Sequence, residues 1–158
     1  MQKNLRKNLL VGVTYWLRKS ERISKEGWYM EIAKVISMRS TCIRAHAGSI
    51  IVRDDVIVST GYSGSPREEP NCCDVGVCER DRLGIRPGER YEICRSVHSE
   101  ANAIINAARS GASVIGGDIY IYFERLDGQK IKHGGPCLMC LRMIKNAGIR
   151  KFVIKEIV

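Results

Sequence analysis

The sequence predicts a three-layer α/β/α domain with a mixed sheet. Three features support this: apolar residues recur at helical spacing in three segments, runs of β-branched residues are typical of strands, and strands alternate with helices after an initial hairpin. Such alternation favours a partly parallel sheet with helices packed on its faces. The 158 residues are enough for one core of this kind.

Residues 1–26 are polar and basic around the apolar stretch LLVGVTYWL, and we interpret them as an N-terminal extension to a domain of residues 27–158. The stretch resembles the core of a signal peptide, but it is short, is interrupted by Thr14 and Tyr15, and lacks a small-residue cleavage site. No segment approaches the ~20 apolar residues of a membrane span. The sequence therefore predicts a cytoplasmic protein without a membrane partner.

The first half of the domain is predicted to form a helix, a hairpin and a loop. The segment WYMEIAKVISMRSTCIRA reads as an amphipathic helix with Ile32, Val35, Ile36 and Arg39 at helical spacing. The next stretch, SIIVRDDVIVSTGY, joins two β-branched runs across Asp54 and Asp55 and indicates a hairpin. The run GYSGSPREEPN is rich in glycine and proline and predicts a loop.

The second half predicts a helix, a strand, a helix and a strand. A helix is expected to begin near His98 and to end at Gly111, which would supply its C-cap. Its apolar face would consist of Ala101, Ile104, Ile105 and Ala108. After the strand DIYIYF, Pro136 opens the helix PCLMCLRMIKNAG, which ends at Gly148 and leads into the strand RKFVIKEIV.

The formal net charge is +9, from 26 lysine and arginine residues against 17 acidic ones, and the basic residues are dispersed. This charge favours an anionic ligand, either nucleic acid or a phosphorylated small molecule. The seven cysteines are an odd number without a convincing export signal. Metal ligation or reactive thiols are therefore favoured over a disulfide framework.

Four side chains suggest a catalytic metal site. His98 and Glu100 open one predicted helix, and Cys137 and Cys140 open another within PCLMC. Positions i and i+3 share a helix face, so the two sulfurs could bind one ion, and the positive end of a helix favours the thiolate that zinc requires. Two thiolates and one imidazole leave the fourth position of a tetrahedral zinc open for water, which is typical of a catalytic site.

Glu100 follows His98 by about 200° of helix, so it is not expected to share the metal. Beside the bound water it could accept a proton and later donate it to the substrate. Taken alone, a histidine before a helix is often a cap, and a lone CxxC can be a redox pair or half of a structural zinc site. Together the motifs favour catalysis, because they match the H-x-E…P-C-x-x-C signature of zinc-dependent nucleobase deaminases.

Longer stretches resemble the cytidine and deoxycytidylate deaminase superfamily, and most closely its deoxycytidylate (dCMP) deaminase branch. They are HSEANAI at 98–104, PCLMC at 136–140, RSTC at 39–42, GSIIV at 48–52, STGYSGSP at 59–66 and NAGI at 146–149. The resemblance extends from about Trp28 to the C-terminus. It implies a cytidine-deaminase-like fold with a five-stranded sheet, hydrolysis of dCMP to dUMP and ammonia, and a homo-oligomer, either a dimer or a hexamer.

The resemblance also implies roles for most of the cysteines. His98, Cys137 and Cys140 would bind the catalytic zinc, and Glu100 would be the proton shuttle. A second, structural zinc, as in many relatives, would be bound by Cys42, Cys72, Cys78 and Cys94. Cys73 could replace Cys72 as a ligand, and free buried thiols are the alternative to this second site.

Two departures from the relatives concern the substrate. Where relatives usually have GYNG, this chain has GYSG at 61–64, so the sugar contact of that asparagine must change or move. We expect Tyr62, Ser63 and Ser99 to contact the substrate, and the backbone N–H of Ser99 or Cys137 could orient the base. The longer loop 124–135, ERLDGQKIKHGG, could bind a phosphate or be a solvated hairpin; its candidate phosphate ligands are Lys130, Lys132 and His133.

Two other functions stay open at this point. The same chemistry could act on a nucleoside, a free base, or a base in tRNA or single-stranded DNA. A nucleic-acid editor needs a basic and aromatic groove, and aromatic residues make up only 6% of this chain, so a small-molecule nucleotide is favoured. The protein could also be a non-catalytic member that acts in DNA uptake or binding, but the intact Glu100 argues against this, since zinc binding alone does not require it.

Overall fold

The computed structural model describes residues 22–86, 88–128 and 135–157. Its helices are α1 (Lys25–Ser37), α2 (Cys72–Val75), α3 (Glu79–Arg82), α4 (Ser99–Ser110) and α5 (Leu138–Asn146), with a short 3₁₀ helix at Tyr91–Ile93, and its strands are β1 (Ala45–Arg53), β2 (Val56–Tyr62), β3 (Asp118–Arg125) and β4 (Lys151–Ile157). No described helix is long and apolar enough to cross a membrane. The predictions for residues 1–21 and for Lys130, Lys132 and His133 lie outside the described residues.

The strands form one mixed sheet in the order β2-β1-β3-β4. β1 pairs antiparallel with both β2 and β3, and β3 pairs parallel with β4. The predicted mixed sheet is confirmed, but the expected five strands are wrong, since the described residues form four. These residues contain four runs of strand-forming side chains, and the fifth strand was implied by the family resemblance alone.

The hairpin between β1 and β2 forms where it was predicted. Asp54 and Asp55 both adopt the left-handed conformation, with φ of 51° and 64°, which is the geometry of a two-residue type I′ turn. The carboxylate of Asp55 forms an ion pair with Lys25 and accepts a hydrogen bond from the Tyr29 hydroxyl. The turn is thereby connected to α1.

α1 covers one face of the sheet, and Tyr29, Met30 and Ala33 are its buried residues in that core. Ile32 and Ile36 pack at the margin as predicted, but Val35 is 62% exposed. The helix also ends at Ser37, earlier than predicted. The buried face is rotated because α1 crosses β1 at Gly48, where a Cβ atom would lie 2.2 Å from the backbone oxygen of Ala33.

α4 and α5 cover the opposite face, so the three-layer arrangement is confirmed. As predicted, α4 follows His98 and ends at Gly111, whose φ is 73°. The predicted apolar face of α4 is wrong in part, because Ile105 is 44% exposed and Ala108 is exposed. The residues of α4 buried against the sheet are Ser99, Glu100, Ala101, Ala103 and Ala107. Apart from Glu100, these side chains are small, because α4 lies very close to β2.

Gly61 of β2 permits this close approach. A Cβ atom at this position would lie 2.3 Å from the backbone nitrogen of Ala103. We expect Gly61→Ala to displace α4 and to lower the free energy of unfolding by about 3 kcal/mol, measured by chemical denaturation. The control is Gly27→Ala in α1, where the new Cβ would meet only side-chain atoms and the expected change is less than about 1 kcal/mol. Equal losses in the two variants would contradict the close packing of α4.

Candidate active site

Two helix starts bring the predicted zinc ligands together. His98 is the N-cap of α4, Cys137 is the N-cap of α5, and Cys140 lies in the first turn of α5. The backbone N–H of Cys140 donates to Sγ of Cys137 at 3.5 Å. The positive end of α5 therefore lies beside the sulfur and favours its thiolate form.

The distances among these side chains fit a zinc ion. Nδ1 of His98 lies 3.4 Å from Sγ of Cys137 and 3.4 Å from Sγ of Cys140. Tetrahedral zinc with its usual bond lengths separates such nitrogen and sulfur atoms by about 3.6 Å. In the described part of the chain, this is the one group of three or more histidine, cysteine or acidic side chains whose ligand atoms all lie within 4.8 Å of each other.

The electrostatics of the three groups also suit a cation. The hydrogen bond between the Cys140 thiol and the Cys137 sulfur lowers the pKa of Cys137 to about 4, and a hydrogen bond with His98 acts in the same direction. The same hydrogen bond between the two thiols, together with burial, raises the pKa of Cys140 above its usual value. Burial lowers the pKa of His98, but the contact with Cys137 and the charge of Glu100 outweigh it, so the net shift is upward. One thiolate is thus present, and a metal would displace the remaining protons.

Glu100 lies beside this group without belonging to it. Its carboxylate is not among the clustered ligand atoms, although its charge raises the pKa of both His98 and Cys140. The side chain is only 7% exposed, and the Ser99 hydroxyl donates to its Oε2 at 3.1 Å. A carboxylate in this position can exchange protons with a molecule bound at the metal site.

One cavity contains most of the predicted site residues. Its empty volume is about 1110 Å³, including the part open to solvent. The predicted residues in its lining are His98, Glu100 and Cys137, together with Ser63 and Ser99. Cys140 is fully buried, and Tyr62 lies at the end of β2 outside the lining. The Ser63 hydroxyl donates to Oγ of Ser40 at 2.9 Å, so its oxygen can still accept a hydrogen bond.

The cavity also contains residues that no sequence motif identified. Its lining includes four arginines, Arg44, Arg80, Arg95 and Arg125, and the aromatic ring of Tyr91. The Tyr91 ring meets the His98 ring edge-on, with 5.0 Å between the centroids, and the Arg80 guanidinium lies 4.5 Å above the Tyr91 ring. Four arginines from separate parts of the sequence therefore meet at this cavity, and no sequence pattern indicated that they would.

Four further cysteines line the same cavity: Cys42, Cys72, Cys78 and Cys94. They lie close enough to affect one another electrostatically, although no three of their sulfurs lie within 4.8 Å of each other. Burial raises the pKa of Cys42 and Cys94, and backbone N–H groups hydrogen-bonded to both sulfurs oppose this. Cys72 is buried in this group whereas Cys73 is exposed, so Cys72 is the better candidate ligand of the two.

The chain is similar in sequence and in fold to known deaminases. The deoxycytidylate deaminase of Schizosaccharomyces pombe is 30% identical over 132 residues, which are 84% of this chain but 37% of that protein. The deoxycytidylate deaminase of Mycobacterium phage D29 is 30% identical over 139 residues, 83% of this chain and 96% of that protein. The crystal structure of the dCMP deaminase from cyanophage S-TIM5 in complex with dCMP and dUMP superposes with a TM-score of 0.60 at 26% identity, covering 82% of this chain and 79% of that chain.

A family model extends the match over nearly the whole described chain. The model for the cytidine and deoxycytidylate deaminase zinc-binding region matches residues 23–156. This range includes both helix starts that bring His98, Cys137 and Cys140 together. The resemblance inferred from the motifs is therefore confirmed, and the chain belongs to the cytidine and deoxycytidylate deaminase family.

Proposed function

We propose that this protein is a zinc-dependent enzyme that hydrolyses dCMP to dUMP and ammonia. The single observation that carries the proposal is the compact group of His98, Cys137 and Cys140 with the buried carboxylate of Glu100 beside it. The relatives named deoxycytidylate deaminase support the choice of substrate. The chain spans only 37% of the length of the Schizosaccharomyces pombe relative. The proposed activity therefore rests on the geometry of the site as well as on the similarity to named deaminases.

His98, Cys137 and Cys140 would hold the catalytic zinc, since their number and spacing match a three-ligand site. When bound, zinc acts as a Lewis acid that makes a water molecule a nucleophile near neutral pH. The protein contributes the burial and orientation of the reacting groups. The backbone of α4 holds His98 in place, and the backbone of α5 holds Cys137.

Glu100 is proposed to move the protons of the reaction. It takes one proton from the attacking water and transfers it to ring N3 as oxygen bonds to C4. It then transfers the remaining hydroxyl proton to the amino nitrogen as the C4–N bond breaks. Ammonia leaves, C4 becomes a carbonyl, and Glu100 returns to its carboxylate form.

The walls of the cavity support a phosphorylated substrate. Arg44, Arg80, Arg95 and Arg125 line it together with Glu79 and Glu100. Two of these arginines form ion pairs outside the lining, Arg44 with Asp81 and Arg125 with Asp127. A guanidinium group can bind a phosphate through two hydrogen bonds, so these side chains are candidate contacts for the phosphate of dCMP. Ser63 stays our candidate for a sugar contact because it lines the same cavity, and contacts from the backbone N–H of Ser99 and from Tyr62 stay predictions.

An ammonia-release screen tests the proposed function. The purified protein is assayed with dCMP, CMP, deoxycytidine, cytosine, guanine and dCTP, and the Glu100→Gln variant serves as the blank. We expect dCMP to be the best substrate, and deoxycytidine, which lacks the phosphate, to be much poorer. Release of ammonia from another compound but not from dCMP would contradict the proposed substrate and leave the deaminase chemistry in place.

We further propose that Cys42, Cys72, Cys78 and Cys94 bind a second, structural zinc. Support comes from their shared location. Burial raises the pKa of Cys42 and Cys94, and the backbone N–H groups hydrogen-bonded to both sulfurs oppose this in part. A ZnS₄ site needs sulfurs about 3.8 Å apart, so the cysteines must move together when the ion binds. The short elements α2, α3 and Tyr91–Ile93 have little core of their own, and a metal would hold them in place.

A pair of adjacent cysteines gives a matched test of this second site. We expect two zinc ions per wild-type chain, measured by elemental analysis. Cys72→Ser should bind one zinc less and lower the melting temperature, whereas Cys73→Ser should match the wild type because its thiol is exposed. One zinc per wild-type chain would contradict the proposal. Loss of zinc in Cys73→Ser alone would reassign the ligand.

The division at residue 27, the cytoplasmic location and the homo-oligomeric state stay predictions. The family match begins at residue 23 and α1 begins at Lys25, which supports a domain start in this part of the chain.

A further inference from the structure

A chain of two buried hydroxyl groups leads to the carboxylate of Glu100. Ser49 of β1 and Ser99, the first residue of α4, are both 0% exposed. Their Oγ atoms lie 2.8 Å apart, and the Ser99 hydroxyl lies 3.1 Å from Oε2 of Glu100. The chain thus connects the central part of the sheet to the side chain proposed to move protons.

The direction of these hydrogen bonds follows from the donors available. An ionised carboxylate can only accept, and each serine has one hydroxyl proton. Ser99 therefore donates its proton to Glu100, which leaves Ser49 as the donor to Ser99. Both hydrogen bonds point towards the carboxylate, and such aligned bonds strengthen one another in a buried environment.

We propose that Ser49 and Ser99 are positioning residues that hold Oε2 of Glu100, so that Oε1 is the oxygen that carries the proton. The inference rests on the proposed function, in which Glu100 serves the water, N3 and the amino group in turn. Each of these proton transfers needs the carboxylate in one place, and a displacement of about 1 Å can cost about 100-fold in rate. A carboxylate with one oxygen fixed cannot rotate away between the transfers.

The fold offers a matched control for this role. Ser59 of β2 is also buried, and its hydroxyl also connects the sheet to α4, by donating to the backbone oxygen of Ala103 at 2.6 Å. It does not contact Glu100. Loss of this hydroxyl should affect stability without affecting the position of the carboxylate.

The test compares kcat, KM, zinc content and melting temperature in four variants. We expect Ser99→Ala to lower kcat by about 10- to 100-fold with KM changed by less than about threefold. It should also lower the melting temperature, because the Ser49 hydroxyl loses its buried partner. The double variant Ser49→Ala/Ser99→Ala should recover melting temperature but not kcat. Ser49→Ala alone, which leaves the Ser99 donor in place, should have the smaller effect on kcat.

Ser59→Ala is expected to lower the melting temperature and to keep kcat within about twofold of the wild type. A kcat of Ser99→Ala within about twofold of the wild type would overturn the proposal. So would recovery of kcat in the double variant, because activity would then follow stability rather than the position of Glu100.

A structural readout separates this inference from the proposed function. In crystals of zinc-loaded Ser99→Ala, the Glu100 side chain is expected to occupy more than one rotamer, whereas a single unchanged rotamer would overturn the positioning role. This result does not depend on the substrate. If the wild type deaminates none of the compounds in the screen, the proposed function fails; if it is active and only the Ser99 results are negative, the positioning role alone fails.

Discussion

Glu100→Gln should lower the rate of dCMP turnover by about 1,000-fold while leaving zinc content and melting temperature unchanged. Glutamine has nearly the same size and can still accept the hydrogen bond from Ser99 through its amide oxygen. It cannot take up or release a proton under these conditions, so both transfers lose their carrier. Steady-state assays of dUMP formation, together with elemental analysis for zinc, measure the two quantities.

The cavity provides a matched control in Glu79, a second carboxylate in its lining. Glu79 forms an ion pair with Arg82 and does not contact the zinc-binding group. Glu79→Gln is therefore expected to keep its activity within about threefold of the wild type. If Glu100→Gln kept more than about a tenth of the wild-type rate, Glu100 would not be the proton carrier.

Cys140→Ser should remove the catalytic zinc and, with it, the activity. The Cys140 sulfur is fully buried at 3.4 Å from Nδ1 of His98, and a serine hydroxyl is a poor ligand for zinc in a site that selects thiolates. Loss of the metal removes several kcal/mol of transition-state stabilisation, which corresponds to about a 1,000-fold lower rate. Elemental analysis should find one zinc less per chain than in the wild type.

Cys73→Ser is the control for this experiment as well, because it removes an exposed thiol that does not belong to the group formed by His98, Cys137 and Cys140. It should retain wild-type zinc and turnover. Wild-type zinc content in Cys140→Ser, or dCMP turnover without the lost ion, would show that Cys140 does not bind a catalytic metal.

Local sequence signals predicted the order of the main elements correctly. Asp54 and Asp55 mark the hairpin, and Gly111 marks the end of α4, because backbone conformation at turns and caps depends on nearby residues. The buried faces were predicted less well. Val35 and Ile105 are apolar but exposed, since close contacts at Gly48 and Gly61 decide which side of each helix faces the sheet. Such contacts join residues far apart in the sequence.

The site also combines features set by local sequence with contacts between residues far apart in the sequence. The structure brings together His98, Cys137 and Cys140, whose motif spacing depends on local helix geometry. By contrast, Tyr91 belongs to no motif, and Ser49 lies in the stretch GSIIV, to which the sequence assigned no role in the site. Their contacts with His98 and Ser99 depend on how the segment before α4 and β1 pack. The arginines of the cavity wall likewise come from separate segments, so the sequence indicated their net charge but not their common location.

The most direct test of the proposed activity is product analysis in water enriched in oxygen-18. The zinc-loaded wild-type protein is incubated with dCMP, and the products are examined by mass spectrometry and an ammonia assay. Hydrolytic deamination predicts dUMP carrying one oxygen-18 atom at C4 and one equivalent of ammonia per dUMP. Unchanged dCMP, release of free cytosine, or dUMP without the heavy oxygen would contradict it.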